Sequence, residues 1–64
     1  MSYGTIFRPG QRCPQSGQYG VVDVYGSFLG REATVTRGEP FPPVNRALGE
    51  YGWLLRDATI HRRY

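Results

Sequence analysis

The chain has 64 residues, with eight basic and five acidic side chains and a formal net charge of +3. At that length it holds at most one domain, burying only about 60% of the surface its unfolded form exposes, so stability is tight. A lone Cys13 excludes an internal disulfide, and one cysteine with one histidine, His61, cannot complete a tetrahedral zinc site within one chain.

Small chains otherwise gain stability from oligomerisation or a partner surface, and that is what remains. The nine aromatic residues, five Tyr, three Phe and one Trp, bury large areas through few rotatable bonds, and some of that area is expected to face another chain. Every cation is Arg. Arg favours planar, bidentate contacts with carboxylate or phosphate, but GC-rich coding explains the absence of Lys at least as well. The charge permits a nucleic acid or an acidic protein surface as partner without requiring either.

Residues 1–17 carry Pro9-Gly10, Pro14 and Ser16-Gly17, a density of turn residues that predicts an N-terminal loop arm anchored by Ile6 and Phe7. No basic segment followed by an apolar core appears at Met1-Ser2-Tyr3-Gly4, and no run approaches a membrane span, so a cytoplasmic location is expected. Residues 18–25, bounded by Gly17 and Gly26, are rich in β-formers and predict a central strand, partly apolar on both faces. A turn over 26–30 leads to a half-buried antiparallel strand over 31–37, with Ala33 and Val35 inward and Glu32, Thr34 and Thr36 outward. Pro40, Pro42 and Pro43 forbid a central strand or helix and leave an extended stretch anchored by Phe41. One helical turn over 44–48, stopped by Gly49, precedes a third strand over 51–59 with Tyr51, Trp53 and Leu55 on one face. Residues 60–64 form a basic tail.

Two segments echo each other. Gly10-Gln11-Arg12-Cys13-Pro14 leads to Gly17-Gln18-Tyr19-Gly20-Val21-Val22, and Gly38-Glu39-Pro40-Phe41-Pro42 leads to Gly49-Glu50-Tyr51-Gly52-Trp53-Leu54, with four more residues in the second copy. The expected fold is a single small all-β domain over 1–64: a three-stranded antiparallel sheet with two Pro/Gly-rich loops, in a metal-free zinc-ribbon-like or small barrel arrangement.

Cys13-Pro14-Gln15-Ser16-Gly17 resembles the Cys-Pro-x-Cys-Gly knuckle of zinc ribbons and rubredoxin-like domains, with Ser16 where the second thiolate would stand. The second loop offers Phe41 and Val44 in the matching places. Either apolar packing has taken over the stabilising task of a metal, or the loop is unrelated to a knuckle. A zinc ion shared across a homodimer by Cys13 and His61 is disfavoured, because structural sites are cysteine-rich and locally spaced. As a nucleophile Cys13 would need His61 with Asp57 or Asp23, but a base in a frayed tail is not positioned. No catalytic residue, metal or cofactor is expected.

Phe7-Arg8-Pro9-Gly10-Gln11, then Pro14, Gly17 and Tyr19, then Gly38-Glu39, Phe41-Pro42 and Trp53 resemble the YjzC-like family of small uncharacterised bacterial proteins, over roughly positions 7 to 55. The resemblance implies a bacterial origin and a compact metal-free fold, and transfers no binding residue. Cys13 and residues 44–52 depart from the family pattern.

The mismatch between a small core and many aromatics predicts a non-enzymatic interaction module or accessory subunit, with a protein partner or a second copy docking on Phe41, Pro42, Pro43, Tyr51 and Trp53 inside a polar rim of Arg12, Arg46 and Arg56. Against this, Phe41 and Trp53 would serve equally well as core. The alternative is a nucleic-acid-binding β protein using Arg62, Arg63 and Tyr64 of the tail together with exposed aromatics.

Overall fold

The computed structural model describes residues 4–58. Four strands, β1 (Ile6–Phe7), β2 (Gly17–Val22), β3 (Phe28–Val35) and β4 (Gly52–Ala58), form one open antiparallel sheet in the order β1-β4-β2-β3. The all-β class read from the sequence holds, with four strands in place of three. The added strand lies inside the segment expected as a loop arm: Ile6 and Phe7 pair with Leu54 and Trp53 on the outer edge of β4, which brings Phe7 into the core. The sheet ends in β1 on one side and β3 on the other, so it does not close into a barrel.

Strand limits also shift. β2 stops at Val22 because Asp23 starts a turn: its carboxylate accepts from the Tyr25 and Ser27 amides at 2.9 and 3.0 Å, and Gly26 N–H donates to the Asp23 carbonyl at 3.0 Å. β3 therefore begins at Phe28, ahead of the expected start, and ends at Val35. The expected helical turn is a short 3-10 helix (Arg46–Leu48), opened by the Asn45 side chain, which accepts from Ala47 N–H, and closed by Gly49.

Residues opposite each other across a ladder share a face. Tyr19, Val21, Trp53, Leu55, Phe7, Ala33 and Val35 line the core face, and the two loops fold over it with Cys13, Phe41 and Val44. Phe41 stacks on Phe7 with centroids 5.0 Å apart and meets Tyr19 edge-on at 4.9 Å. Burying each such ring contributes on the order of 2–3 kcal/mol. The opposite face carries Gln18, Gly20, Glu32, Thr34 and Leu54.

The sequence echo is a structural one. Gly10 N–H donates to the Phe41 carbonyl at 3.0 Å, Phe41 N–H to Gln11 at 2.9 Å, Cys13 N–H to Glu39 at 2.7 Å and Gly38 N–H to Cys13 at 2.7 Å, so the two loops pair with each other. Gly10 and Gly38 both lie in the left-handed region, φ 86° and 92°, where a side chain would be strained. Their equivalent partners Cys13 and Phe41 are both buried. In the sheet, Val21 faces Trp53, and the pair Gly20–Leu54 on one side matches Val22–Gly52 on the other. The chain is thus two β-loop-β segments, 4–22 and 28–58, related by an approximate two-fold between Val21 and Trp53. Among the described residues every strand ladder joins one segment to the other, and none lies within a segment.

Candidate functional site

The residues expected to form a contact surface divide. Phe41 and Trp53 are 2% and 0% exposed and serve the core, so in this fold they present no surface to a partner. The cause is the sheet register: Trp53 faces Val21 on the loop-covered side, and its indole N–H donates to the Pro42 carbonyl at 2.8 Å, fastening the second loop over it. Pro42 is half-buried there. Pro43 is exposed, and its carbonyl accepts from Arg31 Nη2 at 3.3 Å. Tyr51 is half-buried beneath the Arg8 guanidinium, 4.0 Å from its ring centroid. Arg12 is exposed and donates to the Gly38 carbonyl at 3.1 Å; Arg46 is exposed on the 3-10 helix. Arg56 lies across the sheet on the other face, over the Phe28 ring at 4.4 Å and paired with Glu32. These arginines do not ring one patch. Arg62, Arg63 and Tyr64, and with them His61 and any pairing of His61 with Cys13, lie outside the described residues.

Cys13 sits at the core side of the first loop. Its thiol lies 3.0 Å from the Gln15 carbonyl and 3.5 Å from the Tyr19 phenol oxygen, and the phenol donates to the same carbonyl at 2.6 Å. Burial first, then the hydrogen bond and electrostatic interaction with Cys13, push the Tyr19 pKa up. Ser16, in the place of the missing thiolate, accepts instead from the Arg37 amide at 2.8 Å.

The second loop is held by charge. Glu50 is buried, and its carboxylate accepts from Arg31 at 2.6 and 3.1 Å and from the Asn45 amide at 2.7 Å. The hydrogen bond from Arg31, followed by that from Asn45, holds its pKa below the usual range against the opposing effect of burial. No sequence signal announced this pair, because Arg31 and Glu50 meet only once the loop folds back on β3.

The exposed apolar surface lies elsewhere. Among the described residues, five large apolar side chains are open to solvent, and four of them gather where β2 turns into β3: Val24, Tyr25, Phe28 and Leu29, with Tyr25 at 89% exposure. The fifth, Leu48, is on the 3-10 helix. The signal was present as an excess of large apolar residues around Gly26-Ser27, where turn chemistry asks for small or polar ones. Beside this tip runs β3, which has β2 on one side and no strand on the other among the described residues. Among the described residues no pocket opens, and no three His, Cys, Asp or Glu side chains stand together to hold a metal ion. No described helix is long and apolar enough to cross a membrane.

The fold and surface define a small open antiparallel sheet, covered on one face by its own paired loops and bearing an apolar hairpin tip. No family model, curated protein or solved structure matches the chain.

Proposed function

We propose that this protein is a non-enzymatic interaction module that docks another polypeptide through the β2–β3 hairpin. The observation that carries this is the concentration of Val24, Tyr25, Phe28 and Leu29, four of the five large exposed apolar side chains among the described residues, at the β2–β3 turn beside the open edge of β3. Exposed apolar clusters on small proteins mark contact surfaces, and an open edge strand supplies a row of amides and carbonyls to a partner backbone. The contact surface is thus moved from the Pro-rich loop to the hairpin.

Cross-linking of the tagged chain in its native cell tests this. Tyr25→Ser with Leu29→Ser should abolish the adducts formed by the unaltered chain, whereas Leu48→Ser should leave them intact. Equal adduct yields from all three chains would overturn the proposal.

A further inference from the structure

Segments 4–22 and 28–58 are joined covalently by the 23–27 turn alone, while all three strand ladders and the loop–loop hydrogen bonds run between them. We propose that the chain exchanges these segments with a second copy of itself: the 23–27 turn opens, and each copy's segment 4–22 takes its place in the sheet of the other. The proposal rests on the interaction reading in using the hairpin tip as contact surface, and goes beyond it by naming the partner.

Exchange re-forms every contact between the segments with identical geometry, so the balance between monomer and dimer is set by the hinge and by concentration. What opening removes is local. The Asp23 carboxylate loses the Tyr25 and Ser27 amides, the Gly26 amide loses the Asp23 carbonyl, and the Asp23 amide loses the Ser27 carbonyl. All of these groups can bond to water in the open form or to the second copy.

What opening gains is apolar contact. Val24 and Tyr25 lie within the hinge, and Phe28 and Leu29 follow directly after it. In the exchanged dimer the two extended hinges run antiparallel past each other about the two-fold axis, so Val24 and Tyr25 meet the hinge of the second copy, while Phe28 re-forms its pairing with Val22 across the copies. Among the described residues, the two most exposed side chains of this tip, Val24 and Tyr25 at 60% and 89%, lie where exchange would cover them, a placement that a hinge serving only as a monomer turn does not require.

Size-exclusion chromatography with light scattering across a concentration series reads the equilibrium. The full chain is expected to show a dimer fraction that rises with concentration. Asp23→Ala with Gly26→Val, which removes the carboxylate that caps the turn and strains the left-handed backbone at Gly26 (φ 84°) while keeping Val24 and Tyr25, should lower the half-dimer concentration about tenfold or more, the equivalent of one or two turn hydrogen bonds. If the double variant leaves Trp53 fluorescence solvent-like, Asp23→Ala alone takes its place with the same expectation.

Gln18→Cys with Thr34→Cys then identifies the dimer. These residues are direct partners on β2 and β3, joined side chain to side chain at 2.6 Å. Oxidised in the dimer fraction, exchanged chains run as covalent dimers on a non-reducing denaturing gel. Singly migrating chains with an internal bridge would overturn exchange and leave side-by-side docking. Monomer at every concentration in both the full chain and the hinge variant would also overturn it, and the cross-linking comparison above then decides the interaction proposal separately.

Discussion

The two loops share a backbone path and differ in what fastens them. The first closes on β2 through neutral groups, with the Tyr19 hydroxyl donating to Gln15 beside the Cys13 thiol. The second, four residues longer, carries a 3-10 helix with no buried residue and closes on β3 through the Glu50 carboxylate and Arg31. A short loop can be fixed by the packing of one side chain against its own backbone. The inserted residues of the longer loop bring little apolar burial, and an ion pair with extra backbone hydrogen bonds takes up that task.

This contrast gives the molecule two different pH limits. Tyr19 is held neutral with a raised pKa, so its contribution is complete below the ordinary phenol value of 10.0 and is lost as pH climbs through the raised folded value. Glu50 is held ionised with a lowered pKa, so its contribution is present above the ordinary carboxylate value of 4.5 and is lost as pH falls through the lowered folded value.

The largest expected effect separates the equivalent core positions. Phe41→Ala should cost about 3–5 kcal/mol in denaturant unfolding, against roughly 1 kcal/mol for Cys13→Ala. Equal losses would show that the two loops do not contribute unequally to the core.

Next come the paired glycines. A Cβ on Gly52 would lie 2.6 Å from the Phe7 carbonyl oxygen, and one on Gly20 would lie 2.6 Å from the Phe28 ring. Both Ala variants should lose about 1–3 kcal/mol. Gly52→Ala should lose more, because backbone yields less readily than an exposed ring.

Tyr19→Phe should cost about 1 kcal/mol near neutrality and remove the alkaline limb of the stability profile. Thermal unfolding over a pH series checks both effects. Smallest near neutrality is the distinction in acid: Glu50→Gln should flatten the acid limb and leave the alkaline limb unchanged. An unaltered acid limb would mean that the Arg31 pair does not hold the second loop.

Much of this arrangement was legible in the chain. Alternation over 31–35, the β-formers after Gly17 and Gly52, and the Gly49 stop each report local chemistry, and the repeated Gly and Tyr-Gly spacings mark the two loops as equivalent without showing that they pair with each other. β1 was not legible, because two residues carry no periodicity and Ile6-Phe7 becomes a strand only through the edge of β4. The turn falls at 23–27, ahead of the expected 26–30, because Asp23 outcompetes the later glycines by capping two amides with its carboxylate, leaving Gly30 inside β3 near the register shift opposite Val21. Phe41 and Trp53 suit a contact surface and a core equally well in sequence, because composition cannot say which aromatics a loop will cover. In the fold, the loop that carries Phe41 is the one that covers Trp53.

The central claim is that the loops pair with each other and tie the two segments into one unit. Native-state amide hydrogen exchange of the full chain, read residue by residue by NMR, tests it directly. The Gly10, Cys13, Gly38 and Phe41 amides should be protected to nearly the same degree as Val21 and Trp53 and should open with them. Exchange of those four at the rate of exposed loop amides, with the sheet still protected, would contradict it.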